Sequence, residues 1–76
     1  MKIGITGARG LVGKSVVKTC YNAGHETVQI NRTPQEHDGT PNSEMRTADV
    51  ANDYWATIAA FKGCDAIIHL ASISDP

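Results

Sequence analysis

The sequence predicts an α/β fold: a parallel sheet of strand order 3-2-1-4 with helices between the strands. Three observations carry this. A short apolar run, Ile3 to Ile5, is followed by glycines at three-residue spacing, Gly7, Gly10 and Gly13. From Leu11 onward apolar residues recur at helical spacing, at Val12, Val16, Cys20 and Ala23. Residues 65–71, Asp-Ala-Ile-Ile-His-Leu-Ala, are apolar nearly throughout, which fits a strand covered on both faces, as in parallel α/β sheets.

Taken in order, strand 1 is expected over Lys2 to Thr6. Helix 1 follows over Leu11 to Ala23 and closes at Gly24, which supplies the helix C-cap. Strand 2 is expected over Glu26 to Asn31, with Val28 and Ile30 on one face. Thr33 to Glu44 carries two prolines, a glycine and no aliphatic side chain, which reads as a solvated loop. A short third strand is weakly signalled at Met45 to Ala48. Asp49 or Asn52 is the expected cap of a second helix that runs through Lys62, with Trp55, Ile58, Ala59 and Phe61 inward and Gly63 ending it. Asp65 to Ala71 is the fourth strand. Strand, helix, strand, short strand, helix, strand is the mononucleotide-binding half of a doubly wound fold, and right-handed crossovers give the order 3-2-1-4.

Size and composition narrow the function. Seventy-six residues form one small half-domain over 1–76, and chains near this size bury only about 60% of their unfolded surface. Seven basic and eight acidic residues give a net charge of −1, so no bulk field draws nucleic acid or an acidic membrane. One tryptophan, two tyrosines and one phenylalanine are scattered and form no stacking platform for single strands. No apolar stretch approaches the roughly 20 residues that span a bilayer. Glycines and Arg9 interrupt the N-terminal apolar run, which excludes a signal peptide. Cys20 and Cys64 lie too far apart in sequence for a metal pair. They read as free thiols in a reducing compartment, hence an expected cytoplasmic location.

The chemistry concentrates in the first turn. A strand, a glycine turn and a helix start bring backbone N–H groups and the positive end of the helix dipole to one point, where an anion can sit. Gly7 takes the tight turn off the strand, Gly10 lets the backbone approach a pyrophosphate, and Gly13 lets the helix pack closely on the strand. A rival pattern overlaps it. Ala8 to Ser15 also fits a relaxed phosphate-loop motif, A/G-x-x-x-x-G-K-S, with Lys14 on the β/γ-phosphates and Ser15 on Mg²⁺. Two features count against that reading: Ile67 to Ala71 runs into Ser72 rather than into an acid for the metal shell, and Gly7 belongs to the dinucleotide spacing.

With these residues in place, Thr6-Gly7-Ala8-Arg9-Gly10-Leu11-Val12-Gly13 resembles the T-G-x-x-G-x-x-G fingerprint of extended short-chain dehydrogenases/reductases, the group that includes NAD-dependent epimerases and dehydratases. Ala23-Gly24-His25-Glu26-Thr27-Val28 resembles that family's entry into strand 2. Ala48-Asp49-Val50 resembles its adenine-binding element, and Asp65 to Ala71 is similar to its D-x-V-I-H-L-A fourth strand. The resemblance implies the N-terminal portion of a Rossmann fold and an NAD(P) site. Backbone at Gly7, Arg9, Gly10, Leu11 and Val12 would face the pyrophosphate. Asp49 and Val50 would flank the adenine, Asp49 through its carboxylate to the exocyclic amine. Leu70, Ala71 and Ser72 would line the wall behind the adenine ribose and the nicotinamide side.

Cofactor choice turns on the end of strand 2, where NAD-preferring relatives place an acid for the ribose 2′-OH. Here Asn31 is followed by Arg32, whose guanidinium offers a bidentate fork to a 2′-phosphate. Arg9 is a second candidate, and NADP is expected over NAD. The family's Y-x-x-x-K pair is not among these residues, since Tyr21 is followed four later by His25 and Tyr54 by Ile58. The 76 residues are therefore expected to be part of a protein several times longer and to carry out no hydride transfer alone. The substrate would bind through a C-terminal region outside them. The parent reads as an epimerase, dehydratase or reductase acting on a nucleotide-sugar or similar substrate, or else as a non-catalytic NADP sensor or scaffold. Other expectations are plainer. His69 reads as a packed, hydrogen-bonded core residue, His37 and Asp38 as solvated, Trp55 as core, and Ser72 and Ser74 as loop residues. Strand 65–71, lacking a neighbour on one side, is an expected edge for self-association.

Overall fold

The computed structural model describes residues 1–71. In chain order its elements are β1 (Lys2–Thr6), α1 (Leu11–Asn22), β2 (Glu26–Asn31), β3 (Ser43–Thr47), α2 (Tyr54–Phe61) and β4 (Ala66–His69). All strand pairs are parallel and the sheet order is β3-β2-β1-β4, as expected. No helix among the described residues is long and apolar enough to cross a membrane.

Each face of the sheet has its own core. On one, Ile3, Ile5 and Ala8 pack against Val17 and Cys20, with Val16, Ile68 and Leu70 at the margin. On the other, Val28, Ile30, Ala48 and Ala60 pack together, with Val50, Ala56, Phe61 and Cys64 around them. The stripe α1 buries is Gly13, Val17 and Cys20. Val12, at helical spacing with Val16 and Cys20, is 64% exposed. Gly13 sets this rotation, because the helix approaches the preceding turn on the side that has no Cβ. A Cβ built at Gly13 would run into the Gly7 carbonyl and come within 2.7 Å of both Ala8 C and Cα.

Several element boundaries differ from expectation. β3 starts at Ser43 rather than Met45, since parallel pairing with Thr27–Asn31 is made by backbone and tolerates polar side chains. Those side chains have structural uses. Ser43 Oγ accepts hydrogen bonds from Thr27 Oγ1 at 2.8 Å and Gln29 Nε2 at 2.9 Å, which satisfies two buried polar residues of β2. Arg46 Nη1 donates to the Ala60 and Lys62 carbonyls at 2.8 and 2.6 Å, closing the C-terminus of α2 where cations are favoured. Its Nε donates to Glu44 Oε2 at 2.6 Å, and that bond holds the Glu44 carboxyl below its usual range.

α2 begins at Tyr54, with Asp53 as its cap. Asp53 Oδ1 accepts from the Ala56 N–H at 3.0 Å, while Asp49, four residues earlier, anchors the preceding turn by accepting the Asn52 and Asp53 N–H groups at its carbonyl. Trp55 is 76% exposed and stacks edge-on with Tyr54, and Ile58 and Ala59 are also exposed. α2 instead turns Ala56 and Ala60 to the sheet, small residues that allow close approach. β4 is an outer strand and spans only Ala66–His69. Its residues alternate between half-buried and exposed, so it is covered on one face rather than on both. His37 and Asp38 are exposed but not simply solvated. His37 bonds Ser43 O and the Gly39 N–H, and Asp38 accepts from Gln29 and Thr40.

The Gly13 approach yields a stability prediction. Gly13→Ala destabilises the chain by about 1–3 kcal/mol, the usual range for overpacking, as read from urea denaturation. An unchanged midpoint contradicts the close-packing assignment.

Candidate functional site

A cleft of about 600 Å³ opens at the C-terminal ends of the strands. Thr6 and Gly7 come to it from the end of β1, Arg9 from the turn, and Asn31 and Arg32 from the end of β2. Asp49 and Val50 reach it from beyond β3, and His69 and Ala71 from the end of β4. This is the edge of an open α/β sheet where ligands bind. A second concavity, about 430 Å³, lies at the opposite edge around Lys2, Glu26, Ser43 and Glu44. It is remote from the glycine turn and from every expected site residue.

The turn is built from backbone contacts that need glycine for different reasons. At Gly7 φ is +68°, and a Cβ there would come within 2.8 Å of Ala71 N. Its N–H donates to Ile30 O at 3.0 Å, tying the turn to β2. Gly10 is unlike the other two. Its φ is −68°, and nothing lies closer than 3.7 Å to a Cβ built on it. Packing and conformation within the chain therefore make no demand for glycine at position 10, and the space in front of it is open.

That space adjoins an uncapped helix start. Gly10 is the N-cap of α1, with no side-chain hydrogen bond to the first turn, and the first helical bond runs from Lys14 N to Gly10 O at 2.9 Å. The N–H groups of Leu11, Val12 and Gly13 precede it and have no acceptor within the helix. Leu11 and Val12 are 90% and 64% exposed. Gly13, Lys14 and Ser15 are the third to fifth residues of α1.

Asn31 is 6% exposed, and its Oδ1 accepts the Arg9 N–H at 3.1 Å. Its carbonyl oxygen thus fixes the glycine turn to the end of β2, a role not evident in the sequence. Arg9 and Arg32 are exposed, and both line the cleft. Asp49 is held below the usual carboxylate range, first by the Asn52 side-chain amide, with the Ala51 and Asn52 N–H groups and the Arg32 charge adding to it. Its Oδ1 accepts from Ala51 N and its Oδ2 from Asn52 Nδ2. A carboxylate has about four acceptor sites, so it keeps capacity for a further donor.

Seven expected residues therefore share one cleft: Gly7, Arg9, Asn31, Arg32, Asp49, Val50 and Ala71. Gly10, Leu11 and Val12 form the open helix start that follows Arg9. Gly13 is buried beneath it, and Leu70 packs at the margin of the α1 core. Ser72 and Ser74 lie outside the described residues. The sequence reading missed Thr6, which is fully buried with its hydroxyl at the base of the cleft. It also misplaced His69, which is hydrogen-bonded to Thr6 but lies exposed at the cleft edge.

Comparison with known proteins agrees with this geometry. A 3-beta-hydroxysteroid dehydrogenase of Mycolicibacterium neoaurum is 32% identical over 71 residues, covering 93% of this chain and 19% of that protein. Uronate dehydrogenase from Agrobacterium tumefaciens superposes with a TM-score of 0.79 at 30% identity, over 99% of this chain and 28% of that one. UDP-N-acetylglucosamine 4-epimerase from Bacillus cereus superposes with a TM-score of 0.79 at 26% identity, over 100% of this chain and 25% of that one. The chain thus spans about a fifth of the curated dehydrogenase and about a quarter of the two solved structures. The NAD dependent epimerase/dehydratase family matches residues 3–76, and with the glycine turn, strand order and cleft in agreement, the chain belongs to that family.

Proposed function

We propose that this chain binds a nicotinamide dinucleotide at the C-terminal edge of its sheet and prefers NADP to NAD. In this reading it is the cofactor part of an epimerase, dehydratase or reductase acting on a nucleotide-sugar or a similar hydroxyl or carbonyl substrate. The observation that carries the reading is Gly10, a glycine with no internal reason to be one, set before an uncapped helix start. A pyrophosphate brought against that backbone would take up the open space and accept from the Leu11 and Val12 N–H groups. Asp49 and Val50 then flank the adenine, with Ala71 behind the ribose. A relative supports the cofactor class: a mutant of the Agrobacterium uronate dehydrogenase, 30% identical to this chain, was solved in complex with NAD.

The preference for NADP rests on charge. The end of β2 presents the neutral Asn31, not an acid that would repel a 2′-phosphate, and Arg9 and Arg32 stand on the same cleft. Arginine meets phosphate with two parallel charge-assisted bonds. Substrate binding and hydride transfer fall to residues beyond these 76, because neither tyrosine here is followed by the lysine of a Y-x-x-x-K pair. A non-catalytic NADP sensor of the same fold would share this binding site. A downstream Y-x-x-x-K in the parent separates the enzyme from the sensor.

Two measurements test the reading. Calorimetric titration is expected to give a dissociation constant for NADP⁺ about tenfold below that for NAD⁺, and Arg32→Ala should remove most of the difference, in line with the roughly 1.5–3 kcal/mol of a charge-assisted hydrogen bond. Tighter binding of NAD⁺, or unaltered discrimination in Arg32→Ala, sinks the NADP assignment. Gly10→Ala should separate binding from stability. Its folding free energy stays within about 1 kcal/mol of the parent, as for a substitution at an allowed φ, while NADP⁺ affinity falls at least about tenfold as the Cβ meets the ligand. Undiminished affinity in this variant refutes the pyrophosphate assignment.

A further inference from the structure

We propose that His69 is a positioning residue for this cleft, acting through the Thr6 hydroxyl. Thr6 ends β1 and is 0% exposed. Its Oγ1 accepts from the Ala71 N–H at 3.2 Å and from the Leu70 N–H at 3.0 Å, the latter shared with the Thr6 carbonyl at 3.2 Å. A hydroxyl has two acceptor sites and one proton. With both acceptor sites taken, the proton goes to the third neighbour, His69 Nδ1, at 2.7 Å. Nδ1 therefore accepts, and the neutral imidazole carries its proton on Nε2.

The consequence lies in what the hydroxyl holds. Ala71 lines the cleft and sits so close to the glycine turn that a Cβ at Gly7 would come within 2.8 Å of its nitrogen. One buried oxygen thus joins the end of β1 to the exit of β4 at the point where the turn begins, and His69 sets which way that oxygen faces. Without an acceptor at Nδ1 the buried Thr6 proton has no partner, and a hydroxyl that rotates to find one gives up a bond to Leu70 or Ala71, which loosens the cleft wall. The binding consequence rests on the dinucleotide reading, whereas the hydrogen-bond chain itself does not.

The test uses two variants and two readouts. His69→Asn keeps an acceptor oxygen near the Nδ1 position; His69→Phe removes the acceptor. NADP⁺ affinity is expected to fall about tenfold in His69→Phe and to stay near the parent value in His69→Asn. Independently of cofactor, ¹⁵N spectra should show the Nε2–H tautomer, and the Leu70 and Ala71 amides should exchange faster in His69→Phe. An Nδ1–H tautomer, unchanged amide protection in His69→Phe, or parent-like affinity in His69→Phe overturns the proposal. If no form binds NADP⁺, the cofactor reading fails, and the tautomer and amide exchange still decide the role of His69.

Discussion

The contact of α1 with the turn that precedes it, at Gly13, is the constraint on which the rest of the site depends. The helix start lies so close to Gly7 and Ala8 that no side chain fits between them. This approach fixes the rotation of α1, placing Val17 and Cys20 against Ile3 and Ile5. It also aims the first-turn N–H groups outward at the C-terminal edge of the sheet. Packing and the position of the open helix start are two outcomes of one steric fact.

Around that contact the turn is held at three corners by groups that use little side-chain volume. The Gly7 N–H reaches Ile30 O on β2, Asn31 Oδ1 takes the Arg9 N–H, and the Thr6 hydroxyl gathers Leu70 and Ala71 from β4. The ends of β1, β2 and β4 therefore meet around Gly7 and Arg9, and the cleft forms there. The low-dielectric surroundings of Thr6 strengthen these bonds and make an unpaired one costly.

Much of this was readable from the residues because backbone geometry dictated it. The glycine spacing, the helix start at Leu11 and the strand order follow from steric and crossover rules that act locally. What escaped the sequence depended on which of two faces an element shows. α2 is apolar nearly all round, so its spacing could not reveal that Ala56 and Ala60, not Trp55 and Ile58, meet the sheet. In sequence Asp49 and Asn52 are the candidate caps of α2, and Asp53, one residue beyond Asn52, takes that role. Asn31 stood out in sequence as the absence of an acid. Its positive role, accepting the Arg9 N–H across 22 positions, is a tertiary contact with no local signature. His69 reads as core because its neighbours are apolar, yet β4 is an outer strand and leaves it at the cleft edge.

The central claim is that the open backbone at Gly10 to Val12 receives the pyrophosphate of a nicotinamide dinucleotide. Its most direct test is an amide ¹H–¹⁵N correlation spectrum recorded during titration with NADP⁺. The account predicts saturable shifts that are largest at Gly10, Leu11 and Val12, with smaller ones at Asp49 and Val50. Shifts centred instead on Lys2, Glu26 and Ser43 at the opposite edge of the sheet would contradict it.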